Sequence, residues 1–472
     1  MKTTSIRAMF MLGIFTFLFL GSEYLYVDMI AMTAGGNKTV IVQNYALGMS
    51  ALGFFLYPLF HRFLGVLAQK IGMILMTLIS AVCLVLILIH PSFTVTLGTG
   101  MLLFLVWGVL GGAVHYLFIR LVENEDCLAR MVGISYALGI LFQFVNNNLI
   151  HSDMVQMMIL VFCSLILFGL VLWAEKNTQA QNEDAQKSDA VREDIDSGEK
   201  WQKILPGILL ALLVALMACI FSTLDNAITM RHVEGMDIGQ WPRLFLALSG
   251  LIAGILFDIR KRKHMNMLMY YIMMLSVICV VVLKAGGPFI LGLVVFYLSS
   301  GFFVVFFTTS FMAYARRMDI PELWAGMGRT MNNISAVVLT HCSVALLTSE
   351  NNVTAIILVL VLFVAISVIL IAYTVRISAL DEAESEEQKQ CITGAATPEE
   401  ALQIMAERFS LTEREVEVLD KLVNTEESIQ EIADALFLSR RTCQRRISSI
   451  YEKVGVKSRM GLYQFYIEKI LR

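Results

Sequence analysis

Runs of about twenty apolar residues recur through the first 375 positions of this chain, about twelve in all. No feature limits the possible folds more. In hydrocarbon there is no water to pair a backbone amide or carbonyl, so each must be satisfied within its own segment, and such runs can only be helices. The expected spans are 8–28, 41–60, 72–90, 95–118, 131–150 and 154–174, then 204–225, 239–258, 265–284, 288–314, 326–348 and 353–375. Of the 472 residues, 57% are hydrophobic and 16% charged, and mean hydropathy is +0.71. That composition excludes an ordinary water-soluble protein. The predicted fold class is all-α, a polytopic membrane bundle with a small soluble helical domain behind it. The first apolar run follows Lys2 and Arg7 as a signal peptide would. It lacks a small-residue cleavage site and more spans follow, so it is expected to be retained.

Polar segments divide the chain. Residues 1–174 read as one six-helix half and 204–376 as a second. Between them, 175–203 is an acidic loop carrying Glu183, Asp184, Asp189, Glu193, Asp194 and Asp196. An acidic linker, 377–398, leads to a soluble domain at 399–472, whose first helix is announced by Thr397-Pro398-Glu399-Glu400. Arg62, Lys70, Arg120, Arg130, the central loop, the cluster Arg260 to Lys263, Arg316, Arg317 and Arg376 all fall on one side of the membrane. Only Lys38, Arg231, Arg243 and Lys284 fall on the other. The excess of basic residues predicts that both termini are cytoplasmic.

The soluble domain carries the clearest chemistry. Ser428 with Glu431 three residues on is a capping box, and Ser439 is a second N-cap before an arginine-rich helix. Ile432, Ala433, Leu436, Leu438, Cys443 and Ile447 fall at helical spacing. Arg440, Arg441, Gln444, Arg445 and Ser448 then occupy the open side of the second helix, whose width suits the major groove. Acids dominate upstream (Glu413, Glu415, Glu417, Asp420, Glu426, Glu427, Glu431, Asp434), and the balance reverses from Arg440 onward, with Lys453, Lys457 and Arg459 joining the arginines. A small helical domain with a solvated basic face is the plainer reading. The sign change at one helix favours nucleic-acid binding, with Ser439, Thr442 and Arg446 completing the candidate surface. The net charge of −3 does not oppose this, because the basic patch is local.

At these residues the chain resembles a known family. Leu411-Thr412-Glu413-Arg414-Glu415-Val416-Glu417-Val418-Leu419, Ile432-Ala433, Leu438-Ser439, Thr442, Ile450-Tyr451, Lys453-Val454-Gly455-Val456 and Ser458-Arg459 resemble a LuxR-type helix-turn-helix domain. The resemblance implies four helices, the third reading double-stranded DNA and the last, about Arg459 to Ile470, pairing two copies as a homodimer. It also implies a bacterial protein, here in the cytoplasmic membrane. The family usually has valine at Cys443, a basic residue at Gln444 and histidine at Arg446, departures that bear on which operator is read. Upstream, Gly65-Val66-Leu67-Ala68-Gln69-Lys70-Ile71-Gly72 and Gly254-Ile255-Leu256-Phe257-Asp258-Ile259-Arg260-Lys261-Arg262 stand at matching places in the two halves. Both resemble the short loop motif of major facilitator superfamily transporters. The first copy has Gln69 where the motif has an acid; the second keeps Asp258.

Ionisable groups within spans cost several kcal/mol unless paired or wet, so each needs a reason. Glu23 and Asp225 stand at equivalent places late in spans one and seven, and the repeat predicts that both face a central cavity. Arg329 with Asn332 and Asn333 is placed to neutralise one of them. His115, Tyr116 and His341 are either further ligand contacts or interhelical hydrogen bonds, and Asn146 to Asn148 either cavity wall or an outer helix end. Many aromatics, among them Tyr24, Tyr45, Tyr57, Trp107, Tyr136, Trp241 and Tyr297, line a pocket or simply pack. The eight cysteines are scattered with no ligand-like spacing, which predicts apolar packing with no metal site. No nucleotide loop, zinc signature or hydrolase elbow is visible, so no enzyme and no cofactor are expected. Two functions remain: a membrane-embedded transcription regulator that senses a small molecule, or a transporter with a regulatory DNA-binding tail.

Overall fold

The computed structural model describes residues 3–89, 92–122, 125–185, 197–233, 241–348, 352–393, 398–409, 411–425, 427–456 and 458–466. Lys457, Thr397, the middle of the central loop (186–196) and the tail beyond Tyr466 lie outside them. Among the described residues every regular element is helical. The chain separates into two compact units, Met1–Arg376 and Ile377–Arg472.

The first unit holds α1 (Thr3–Ala31), α2 (Gly36–Phe63), α3 (Val66–Ile89), α4 (Phe93–Leu121), α5 (Leu128–Asn148), α6 (Asp153–Ala185), α7 (Ser197–Val233), α8 (Leu244–Phe257), α9 (Met265–Lys284), α10 (Phe289–Ala315), the single turn α11 (Pro321–Trp324), α12 (Met327–Thr348) and α13 (Asn352–Thr393). Eleven of these helices among the described residues are long and apolar enough to cross a membrane. The place of the expected eighth span is taken by a shorter apolar segment, Trp241–Phe257. The last helix does not stop at the end of its apolar run; α13 continues through the acidic residues to Thr393.

Lipid tails are as apolar as leucine, so these helices gain little from hydrophobic burial against one another. Close fit and hydrogen bonds hold them instead. Helix α2 meets α4 at Gly53 and Gly108, where a Cβ would stand 2.2 Å from the Leu105 carbonyl and 2.0 Å from the Ser50 carbonyl. The two halves meet where α5 packs on α8 and where α12 packs between α2 and α7. Glycines make the first of these contacts close: a Cβ on Gly133 would lie 2.5 Å from the Gly250 carbonyl.

The second unit holds α14 (Pro398–Arg408), α15 (Glu413–Asn424), α16 (Ile429–Ala435), α17 (Arg440–Val454) and α18 (Arg459–Tyr466). Its core is Met405, Val418, Leu419, Leu422, Ile432, Ala433, Cys443, Ile447, Ile450 and Leu462, with Tyr466 closing one side. Both expected caps are made. The Ser428 amide donates to Glu431 at 2.7 Å and Ser439 Oγ accepts from the Thr442 amide at 3.1 Å. Gly455, at φ +79°, ends α17 in the left-handed region. Phe437, between α16 and α17, takes φ +52° with a side chain 97% exposed. No packing compensates a backbone form that costs a non-glycine residue roughly 1–2 kcal/mol.

Glu415 ties the unit together. It caps α15 by accepting from the Thr412 amide at 2.8 Å and accepts from Ser449 Oγ at 2.7 Å and Lys453 Nζ at 2.8 Å on α17. Burial alone would raise this carboxyl, but the bonds from Lys453, Ser449 and Thr412 outweigh it and hold it at about 2, below the ordinary 4.5. A depressed folded-state pKa gives stability that is present above pH 4.5 and lost as pH falls toward 2. The melting temperature of a fragment spanning Ile377–Arg472 is therefore expected to drop across that window. Glu415→Gln should lower stability at neutral pH and flatten that part of the acid profile, as followed by circular dichroism.

Candidate DNA-reading face and ligand cavity

Helix α17 buries Cys443, Ile447, Ile450 and Val454 and leaves Arg440, Arg441, Gln444, Arg445 and Ser448 exposed. The apolar stripe fixes this division, because residues three and four apart share one helix face. Ser439 and Thr442 close the first turn, their hydroxyls 2.8 Å apart. Four candidates at one helix end are thus basic or amide side chains in water, near an N-terminus with free amide donors.

Three other basic candidates have partners within the unit. Arg459 turns inward and donates to the carbonyls of Leu422 (3.0 Å), Glu427, Lys421 and Thr425, capping the end of α15 and the loop after it. A guanidinium surrounded by four carbonyls is held by its own domain, so its charge does not add to an outer basic face. Lys453 is paired with Glu415, and Arg446 donates to the Arg414 carbonyl at 3.4 Å. Charge counting along the chain cannot distinguish such internal braces from surface cations.

In the first unit, a cavity of about 180 Å³ lies between the two halves. Its walls include Glu23 and Asp225, together with Arg329, Asn332 and Asn333. Tyr24, Tyr136 and Tyr297 line it among the aromatics. His115 and Tyr116 are not among its walls. His115 Nδ1 lies 2.7 Å from the Gly111 carbonyl, its ring edge-on to Phe15 and Phe54. Tyr116 makes tilted ring contacts with His61 (5.0 Å) and Tyr57 (6.3 Å) nearer the end of α2. His341 meets Tyr45 at 3.2 Å, and Asn146 hydrogen-bonds Asn147 at 3.3 Å. A polar residue in an apolar run announces that it has a partner, but only the helix phase decides whether that partner is a neighbour or a cavity.

Among the wall residues that the sequence did not offer as candidates are Arg243, Gln43 and Asn44. Arg243 reads as a loop cation, but the short turn Trp241–Arg243 before α8 sets its side chain into the cavity wall, 5.9 Å from the Tyr24 ring. Gln43 donates to Glu23 Oε1 at 2.7 Å and accepts from Thr229 Oγ at 3.0 Å, joining α1, α2 and α7. Asn44 donates to Asn226 at 3.1 Å, which donates to Ser343 at 2.6 Å. These amides bridge the two halves at the level of the acids.

At the end of the bundle where α1 begins, charges bridge the halves. Arg62 pairs with Glu322 at 3.1 Å, and Glu125 with Arg316 at 2.8 Å. The two loop motifs behave differently there. Asp258 accepts from the amides of Ala129 (3.0 Å) and Arg130 (2.8 Å), capping α5 of the opposite half. Gln69, its counterpart, bends back to the His61 and Leu64 carbonyls at 2.7 and 2.8 Å within its own half. Arg260, Lys261 and Arg262, following Asp258, take φ of +50°, +55° and +67°.

Comparison with known proteins agrees with both units. Residues 409–466 match the GerE family model, bacterial regulatory proteins of the luxR family. No curated protein matches the sequence. The human organic anion transporter MFSD10 is similar over 78% of this chain and 98% of its own, at 13% identity and a TM-score of 0.53. An auto-inhibited POT family peptide transporter is similar over 80% of this chain and 97% of its own, at 12% identity and the same TM-score of 0.53. Residues 409–466 are thus a domain of the luxR family of bacterial regulatory proteins, joined in one polypeptide to a bundle whose fold is similar to that of these two transporters.

Proposed function

We propose that this chain is a membrane-embedded transcription regulator in which a small molecule bound between the halves of the bundle controls DNA binding by the C-terminal domain. One observation carries the reading: a DNA-binding domain and a transporter-type fold with a charged internal cavity are covalently one molecule. The protein then resides in a bacterial cytoplasmic membrane with both termini cytoplasmic, and pairs through α18 when it holds its operator. A ligand shifts the bundle only by its difference in affinity for two arrangements. A coupling of about 1–3 kcal/mol changes promoter occupancy roughly 5–150-fold, enough for a genetic switch.

On this reading the base and phosphate contacts come from Arg440, Arg441, Gln444 and Arg445. Each lost contact costs about 1–3 kcal/mol. Arg441→Ala with Arg445→Ala is expected to weaken promoter binding by the isolated domain roughly hundredfold at fixed salt. An unchanged mobility-shift affinity would refute the assignment of α17.

A second reading is favoured by the similarity to transporters: the bundle moves its ligand and the tail is regulatory. The loss of the acid at Gln69 supports the sensor, because one of the two loop motifs no longer reaches across the halves. Glu23→Gln and Asp225→Asn are expected to blunt the transcriptional response while leaving DNA affinity intact. In vesicles, the tail-deleted bundle should show saturable binding without uptake; accumulation against a gradient would instead make it a transporter.

A further inference from the structure

Two carboxylates, Glu23 and Asp225, and two guanidiniums, Arg243 and Arg329, line the one cavity. They do not neutralise one another by contact. Among the described residues no carboxylate oxygen stands within 4.0 Å of either guanidinium. The arginines rest on rings instead: Arg329 lies 5.6 Å from Phe19 and 5.3 Å from Phe307, and Arg243 lies 5.9 Å from Tyr24. The Nε–H of each is buried without an acceptor. Unpaired buried donors of charged groups are costly, and a ligand that supplies the acceptor recovers that cost. Glu23, for its part, is held in place by Gln43, whose amide is fixed at its other end by Thr229.

From this arrangement we infer that the cavity takes a small zwitterion. Its cationic group lies against Glu23 and Asp225, and its anionic group receives the free guanidinium donors. The inference rests on the reading of the cavity as the ligand site. Charge balance selects the class: two acids and two arginines sum to zero, so a ligand carrying both charges leaves the low-dielectric cavity neutral. A simple amine or a simple acid would leave a net charge there. A volume of about 180 Å³ lies below the roughly 300–1,000 Å³ of drug-sized sites, which limits the ligand to a small metabolite. Phe221, Phe296, Phe303 and Tyr297 offer its carbon skeleton an apolar wall. Gln43 is then a positioning residue, orienting Glu23 without itself carrying charge.

The test uses the full-length protein in lipid nanodiscs. The probes are the standard amino acids and short ω-amino acids, each set beside the amine and the acid of the same skeleton. Calorimetry and thermal unfolding should find at least one zwitterion that binds about tenfold or more tightly than both single-charge analogues. Glu23→Gln and Arg329→Gln should each reduce that preference, the first by sparing the acid analogue and the second by sparing the amine. Binding of an amine or an acid alone as tightly as the zwitterion overturns the inference, as does a panel with no binder. These wild-type comparisons stand even where a variant does not fold. A promoter reporter separates the two levels. A zwitterion that binds and leaves transcription unchanged sinks the regulator and keeps the ligand class; a single-charge inducer sinks the class and keeps the regulator.

Discussion

A backbone amide in hydrocarbon has no solvent to fall back on, and the architecture of the first unit follows from that. Each span must be a helix because only a helix satisfies its own amides. Once that is done, side chains alone decide how the helices meet. The polar ones therefore gather at helix crossings: Trp107 donating to Ser22, Asn333 donating to Ser50, and the Asn44–Asn226–Ser343 chain between halves. Glycine at Gly53, Gly108 and Gly133 lets backbones approach closely enough for these short side chains to reach. Charged side chains line the cavity, and ion pairs bridge the halves at one end of the bundle.

The two loop motifs show how one side chain alters a shared plan. An acid at Asp258 can accept two amides at once, and the first amides of a helix are donors without partners inside it. The amide of Gln69 has donors of its own to satisfy, and it finds carbonyls within reach in its own loop. The pseudo-symmetric bundle is thereby held across its halves by one capped helix and by ion pairs of differing geometry. Exposed ion pairs contribute little each in water, so the buried cap is the more durable connection.

Much of this was legible in the residues. Apolar runs located the spans because length and hydropathy are sufficient for a helix in lipid. Ser428 and Ser439 marked the starts of α16 and α17 because capping chemistry is local. Glu23 and Asp225 were recognisable because an acid inside an apolar run is expensive wherever it sits. What the sequence could not convey was direction. Arg459 and Lys453 carry the same charge on paper as Arg441, yet one is wrapped in carbonyls and the other spans to Glu415. Arg243 stands where loop cations stand, and the tight turn before α8 carries it into the cavity wall. His115 and Tyr116 lie in α4 away from the cavity walls, among the rings of Phe15, Phe54, Tyr57 and His61. The brace at Glu415 was not legible, because its partners on α17 lie more than thirty positions away.

The turn after Asp258 has a mechanical consequence. Three successive L-residues, Arg260 to Arg262, wind in the sense opposite to the helices they join, at roughly 1–2 kcal/mol apiece. Lys261 reaches Asp126 at 3.6 Å and Arg262 reaches Glu125 at 3.9 Å, so the turn touches the opposing half at two acids. Parting α5 from α8 would break those tethers together with the Asp258 cap, so the turn would then travel with the second half alone.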